Sequence, residues 1–159
     1  ETERIEILID STEKILSNPN TGYFVSHIEG FKKFMDCYRV TYYLFDSQRN
    51  ELYTFYLEDG QHKIRSFSSQ KGICGFVVST GTTVILHEVY DDNRYNPEID
   101  DPQSDGDIYS LITVPVQCQN LNPMLEPSES ATRGVIQLAN KKDGTQFDLN
   151  DKVKIEELC

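Results

Sequence analysis

The sequence has few positive charges and no long apolar run. Of its 159 residues only 15 are Lys or Arg, against 26 Asp or Glu, which gives a net charge of −11. Because nucleic acids and anionic membranes are held mainly by clustered cations, this balance argues against both kinds of partner. No stretch approaches the roughly 20 apolar residues that span a bilayer, and no signal-peptide pattern opens the chain.

The motifs of several enzyme and metal-site classes are also absent. No Gly-Lys-Ser or Gly-Lys-Thr is present to form a nucleoside-triphosphate loop, and neither H-E-x-x-H nor G-x-S-x-G occurs. The three histidines, His27, His62 and His87, lack partners at zinc spacing. Several carboxylates lie between Asp91 and Asp107, but the D-x-[DN]-x-[DN]-G spacing of a calcium loop does not occur there, so we expect a solvated acidic loop.

The cysteines favour an intracellular protein. No two of them form a C-x-x-C pair, and three lie in apolar or strand-like runs, where a free Cys behaves as a small hydrophobe. We therefore expect reduced thiols in a cytoplasmic protein, with disulfides as the alternative. The four residues are Cys37, Cys74, Cys118 and Cys159.

Length and pattern predict a single domain, residues 1–159, in three parts. Residues 1–35 carry two helical stripes, one over Glu3–Leu16 and a second that ends at Met35. Residues 36–147 are strand-rich with one inserted helix, and residues 148–159 begin a final helix. Strands in the centre with helices at the ends predict an α+β layered domain.

Within the central part, the composition predicts six strands around one short helix. The helix covers Gly72–Thr80 and is closed by Gly81. The polar, acidic stretch Glu88–Asp107, called the lid below, is too long for a simple connection, and Asn120–Thr132 predicts a mobile hairpin loop. The strands are expected at Cys37–Phe45, Leu52–Leu57, Lys63–Phe67, Thr83–Leu86, Leu111–Gln117 and Val135–Leu138.

Five segments, taken in chain order, carry a family pattern. Lys71–Gly81 reads K-G-I-C-G-F-V-V-S-T-G, and Gly134–Lys141 reads G-V-I-Q-L-A-N-K. They resemble the K-G-I-A-G-x-V-A-x-T-G and G-V-x-Q-L-x-N-K segments of GAF domains from cyclic-nucleotide phosphodiesterases. Three more segments are similar to the same family in the same order: Asp36–Asp46, Arg94–Asp100 and Ser110–Val116.

A further match resembles the NKFDE signature of these GAF domains. Asn140-Lys141, Phe147 and Asp151 fit it, whereas Lys152 stands where the signature has Glu. The resemblance implies that Lys141 and Asp151 form a salt bridge tying the last strand to the final helix, with Phe147 packed nearby. Losing one partner of such a pair costs on the order of 3–5 kcal/mol when it is buried. Lys152 implies a looser pocket.

The resemblance also implies an architecture and a role. The fold is expected to be a central antiparallel six-stranded sheet with helices on both faces. The expected role is regulatory and not catalytic: the domain binds cAMP or cGMP and transmits the bound state to neighbouring domains, among which a phosphodiesterase or cyclase domain can lie. No cofactor is implied, and the terminal helices can serve a homodimer. The alternatives are a ligand-free GAF module for dimerisation or scaffolding, and a different small ligand in the same pocket.

The physical basis for ligand binding is the start of the Gly72–Thr80 helix. Its first amides, at Ile73 and Cys74, have no partner inside the helix, and the helix dipole favours an anion there. The resemblance implies that they meet the cyclic phosphate in an enclosed cleft roofed by the lid. The alternative is that the glycines of this segment form only a turn and a close-packing point.

Six more residues are implied to contact the ligand. Leu57 replaces the family's stacking aromatic, and Asp100 is expected to hold the base, so Asp100→Ala should abolish binding. The alternatives are an ordinary β-branched strand residue at Thr41, a solvated loop at Asn96 and Asp100, and a strand hydrogen-bonder at Gln137. The six are Thr41, Leu57, Glu58, Asn96, Asp100 and Gln137.

Overall fold

The computed structural model describes residues 29–59, 61–102, 104, 106–118, 131–157 and 159. The helices are α1 (29–34), α2 (Gly72–Thr80), α3 (Pro97–Asp100) and α4 (Leu149–Glu156), with a 3-10 turn at Val89–Asp91. The strands are β1 (Cys37–Asp46), β2 (Glu51–Glu58), β3 (Gln61–Ser68), β4 (Val84–Leu86), β5 (Leu111–Cys118) and β6 (Ala131–Lys141). None of the helices described here is long and apolar enough to cross a membrane.

All six strands form one antiparallel sheet in the order β3-β2-β1-β6-β5-β4. Successive side chains of a strand point to opposite faces. On β6, Val135 and Ala139 therefore pack with α2 and α3, whereas Ile136 and Leu138 pack on the face that carries α1 and α4. The predicted α+β class, with an antiparallel six-stranded sheet and helices on both faces, is confirmed.

The six predicted strands and the inserted helix are present; the helix has its predicted bounds, whereas the ends of the strands are shifted, most of all in β6. The strand β6 begins at Ala131, inside the loop predicted to run to Thr132, because Thr132 pairs with Gln117 across the β5–β6 ladder. The lid contains a helix, α3, that the acidic composition did not indicate. The first helical stripe, Glu3–Leu16, and the tip of the predicted hairpin loop lie outside the described residues.

Gly75 is a close-packing point between α2 and the loop before it. A Cβ at this position would lie 2.5 Å from the carbonyl oxygen of Ser69. Gly75→Ala is therefore expected to lower the free energy of unfolding by about 1–3 kcal/mol, although alanine is the better helix former. Urea unfolding measures this loss. The control is Gly30→Ala in α1, where a Cβ meets nothing within 4 Å, and an equal loss in both variants would contradict the packing argument.

Candidate functional site

The lid lies against the sheet face that carries α2. Val89 and Ile99 are buried in the core on that face, and the hydroxyl of Tyr43 on β1 donates to the carbonyl of Ile99 at 2.5 Å. Arg39, also on β1, forms an ion pair with Asp101 at 2.6 Å, and both side chains are about nine-tenths buried. The expectation of a solvated acidic loop is wrong for Asp101 because a buried cation neutralises it.

The amino end of α2 is occupied by the carboxylate of Asp100. Its Oδ2 accepts hydrogen bonds from the backbone amides of Ile73 at 3.0 Å and Asn96 at 2.9 Å, and its Oδ1 accepts from the amide of Cys74 at 3.2 Å. Asp100 is fully buried. The first amides of a helix attract an anion, and here that anion belongs to the chain itself. The amides of Ile73 and Cys74, predicted to meet a cyclic phosphate, are held by Asp100 in this conformation, and their contact with a ligand stays a prediction.

A row of polar side chains forms the floor below this carboxylate. The side-chain amide of Gln137 on β6 lies 3.3 Å from Asp100 Oδ1, 3.3 Å from the hydroxyl of Thr113 and 3.4 Å from the sulfur of Cys74. Thr41 on β1 and Thr113 on β5 are the cross-strand neighbours of Gln137, and all three are buried. Strand alternation correctly predicted the direction of Gln137. The same alternation along β5 would have identified Thr113, which the sequence interpretation missed.

Burial controls the ionisable groups of the site. It raises the pKa of the Asp100 carboxyl, although the amides of Asn96, Ile73 and Cys74 act in the opposite direction. Burial also raises the pKa of the Cys74 thiol well above its usual range, and the neighbouring Asp100 raises it further. The thiol is therefore protonated and unreactive while the lid is closed. Within the described part of the chain, Cys37, Cys74 and Cys159 are free thiols, and no group of three potential metal ligands occurs.

We expect Cys74 to be protected from alkylation until the lid opens. At pH 8, Cys74 should react with iodoacetamide at least about tenfold more slowly than the half-buried Cys159. Burial raises the pKa of both thiols, that of Cys159 to about 11, but only Cys159 keeps part of its surface accessible to the reagent. A ligand that displaces Asp100 should accelerate the labelling of Cys74 alone. Peptide mass spectrometry after timed quenching measures both rates. Faster labelling of Cys74 than of Cys159 in the ligand-free protein would show that the lid is not closed.

The other predicted contacts have different positions. The side chain of Asn96 caps α3 by accepting from the amide of Glu98 at 3.0 Å, ahead of Pro97 in the first turn. Asn followed by Pro is the sequence signal that indicates such a cap. Leu57 and Glu58 lie at the end of β2, but their side chains are outside the described ones, so their roles stay predictions.

Lys141, Phe147 and Asp151, three of the residues that resemble the family signature, connect the end of β6 with the start of α4. The ammonium group of Lys141 lies 3.1 Å from the carboxylate of Asp151, which also accepts from the amide of Asp148 in a capping box at the start of α4. Phe147 is fully buried, and its amide donates to the hydroxyl of Ser110 at 2.8 Å. These contacts fix the end of β6 relative to α4.

Asn140 ties the end of the lid to β6. Its side-chain oxygen accepts from the amides of Tyr109 at 2.9 Å and Ser110 at 3.3 Å, and its side-chain nitrogen donates to the carbonyl of Asp107 at 2.7 Å. Asn140 itself adopts a positive φ of 59°, a conformation that Asn tolerates better than most residues. The lid is therefore anchored at its carboxyl end and closed by Asp100 in its middle.

The chain is similar in sequence to a phosphodiesterase. Over 126 residues it is 26% identical to the probable 3',5'-cyclic phosphodiesterase pde-5 of Caenorhabditis elegans. The aligned region covers 71% of this chain and 16% of the phosphodiesterase, so the chain spans only a small part of that relative. No protein-family profile matches the chain.

Solved structures share the fold. The GAF domain of a phosphoenolpyruvate-protein phosphotransferase (ptsP) from Coxiella burnetii superposes with a TM-score of 0.64 and 13% identity, covering 97% of this chain and 86% of that one. The type II free methionine-R-sulfoxide reductase from Thermoplasma acidophilum superposes with a TM-score of 0.60 and 15% identity, covering 86% and 84%. Sheet order, helix placement and these superpositions agree: the chain has the fold of GAF domains.

Proposed function

We propose that this chain is a regulatory GAF domain of a cytoplasmic protein, which binds cAMP or cGMP and transmits the bound state to neighbouring domains. The observation that supports it most is the Asp100 carboxylate on the amides of Ile73 and Cys74. Two amides at a helix start that hold one oxyanion have the geometry to hold another, such as a cyclic phosphate. The phosphodiesterase relative supports the choice of ligand class.

Binding in this proposal is a competition. The ligand phosphate displaces Asp100 from α2, and the lid then loses the contacts of Ile99 with Tyr43 and of Asp101 with Arg39. The ligand shifts the equilibrium towards the open lid only by its preference for that state, so closure lowers the apparent affinity. The terminal helices α1 and α4 pack on the other face of the same strands and are placed to respond.

The polar floor fits the base of a nucleotide. The hydroxyls of Thr41 and Thr113 and the amide of Gln137 offer both donors and acceptors in a buried row. In the closed lid the amide of Gln137 is already used by Asp100, Thr113 and Cys74. Displacement of Asp100 would free part of that hydrogen-bonding capacity for the edge of a purine.

The role we propose is not catalytic. The nucleophile in the described part of the cleft is Cys74, which is fully buried and whose pKa burial raises well above the usual range. A thiol in that state is a poor nucleophile. Because the fold also occurs in free methionine-R-sulfoxide reductases, the absence of reductase activity towards free methionine sulfoxide is an expected result that a standard assay checks.

A second candidate function is a GAF module without ligand that serves dimerisation or scaffolding. Leu149 and Val153, exposed by 72% and 55%, lie four residues apart on α4 and give that helix an apolar outer side. A homodimer through the terminal helices would cover them.

Calorimetry with cAMP and cGMP, from micromolar to millimolar concentration, separates the two candidates. Saturable heat from at least one nucleotide is expected. The matched controls are adenosine and guanosine, which lack the phosphate and should bind at least about tenfold more weakly, because they cannot replace a charged acceptor. Silence from both nucleotides, with a folded protein, would reject cyclic-nucleotide binding and leave the ligand-free module.

A further inference from the structure

We propose a second small-anion site on the outer side of the lid. It is an open cavity of about 410 Å³ beside the first turns of α2. Its walls are the loop 69–72, the outer side of α2 around Phe76, and the lid segment 93–96. The volume is within the range of about 300–1,000 Å³ that small-ligand pockets occupy. The ligand class is a small organic anion, with a phosphate or carboxylate group joined to a flat apolar part.

The charge of the lining selects an anion. Lys71 and Arg94 both line the cavity, and no carboxylate among the described residues does, although the chain as a whole carries a net charge of −11. Asp92 lies outside the lining and binds Arg94 through its Nε and Nη2 nitrogens, at 2.9 Å and 2.6 Å. A guanidinium has five N–H donors in a fixed plane, so this contact orients Arg94 without using all of them.

Aromatic side chains contact Arg94 and Tyr95 and supply the apolar wall of the site. The guanidinium carbon of Arg94 lies 4.5 Å from the centre of the Phe76 ring, a cation–π contact. Tyr95 also lines the cavity, and its ring meets that of Tyr90 edge-on at 5.5 Å between centroids. Side chains that are already fixed lose little entropy when a ligand binds. A flat group beside Phe76 and Tyr95 would extend the same stacking.

This cavity is distinct from the cleft under the lid. Gly72 and Asn96 line it, and both also meet Asp100: the Asn96 amide donates to Oδ2, and a Cβ at Gly72 would lie 3.0 Å from the same oxygen. The amides of Ile73 and Cys74, in contrast, are held by Asp100 on the inner side. An anion in the outer cavity is therefore held by side chains, and this proposal does not depend on cyclic-nucleotide binding.

The test is a titration of the 159-residue chain with phenyl phosphate, followed by amide chemical shifts. Saturable shifts are expected at 70–72 and 93–96, with a dissociation constant in the millimolar range typical of a small fragment. Lys71→Gln and Arg94→Gln should each weaken binding about tenfold, since each removes a charged donor. Arg133→Gln, at a cavity of about 360 Å³ near the other end of α2, is the matched control and should change nothing.

Two outcomes would overturn the second site. One is an unchanged dissociation constant in both Lys71→Gln and Arg94→Gln. The other is a set of shifts centred on Ile73 and Cys74 that changes in Asp100→Asn, because phenyl phosphate would then be entering the inner cleft. The latter outcome would remove the outer site while leaving the proposed function standing. Unaltered outer binding in Asp100→Asn supports two separate sites.

Discussion

Asp100→Ala is expected to lower the free energy of unfolding by about 2–5 kcal/mol. The substitution leaves the buried amides of Ile73 and Cys74, the half-buried amide of Asn96 and the side-chain amide of Gln137 without their shared acceptor. Each unsatisfied buried donor costs about 1–3 kcal/mol, and water entering the vacated space reduces the sum. Urea unfolding measures the loss, and the slope of the free energy of unfolding against urea concentration should be unchanged. A loss below about 0.5 kcal/mol, the size of an ordinary surface effect, would show that Asp100 does not hold the first amides of α2.

Inorganic phosphate should restore part of this loss. An anion that binds only the folded variant stabilises it by RT ln(1 + [L]/Kd), about 1.4 kcal/mol at ten times Kd. The matched control is Asp101→Ala. It removes the ion-pair partner of Arg39 and leaves Asp100 bound to the amides of α2. Chloride at equal ionic strength controls for screening. Equal rescue of both variants by phosphate would indicate a general salt effect and contradict a specific anion site.

Asp151→Ala should have the second large effect, a loss of about 2–4 kcal/mol in the free energy of unfolding. The substitution leaves Lys141 without its partner and removes the acceptor of the Asp148 amide in the capping box. The loss is smaller than for a fully buried pair because the Lys141 side chain keeps 18% of its surface exposed.

The control for Asp151→Ala lies one residue further along the same helix. Lys152 and Glu156 are 3.9 Å apart with side chains exposed by 36% and 43%, so Lys152→Met should lower stability by at most about 0.5 kcal/mol. Both variants are compared in the same urea series. Similar losses in the two would contradict a structural role for the Lys141–Asp151 pair.

The layers of this fold follow from local sequence patterns, because strand alternation and helix caps are local signals. Gln137 is an example of what these local signals can predict. Its place in an alternating strand predicted that its side chain points into the cleft, and in the structure it lies against Asp100. The ends of the helix Gly72–Thr80 were predicted correctly because glycines stand at both of them. Gly72 and Gly81 adopt a positive φ, at 78° and 65°. Such residues mark helix boundaries directly in the sequence.

The contacts that close the lid could not be predicted in this way. Arg39 and Asp101 are 62 residues apart, and Asp100 is 27 residues from Ile73, so no spacing along the chain joins them. The number of carboxylates in the lid predicted a solvated loop. That prediction took no account of the dipole of α2, which stabilises Asp100, or of Arg39, which neutralises Asp101. Asp100 reaches the amino end of α2 because it lies in the short helix α3.

In the proposed competition, Asp100 has a role opposite to the one that the family resemblance implied. As a contact to the base it would be required for binding, whereas as a competitor for the amides of Ile73 and Cys74 it weakens binding. The same substitution, Asp100→Ala, therefore has opposite expected effects on affinity. The sign of that effect distinguishes the two roles without further structural information.

The most direct test is a titration of the wild type and of Asp100→Ala with cAMP and cGMP, read at the amide resonances of Ile73 and Cys74. If a cyclic phosphate competes with Asp100, at least one nucleotide will shift both amides. Its dissociation constant will then be at least about tenfold lower in the variant, because the closed state no longer opposes binding. Binding that is lost in a folded Asp100→Ala protein, or nucleotides that leave both amides unmoved, would contradict the competition.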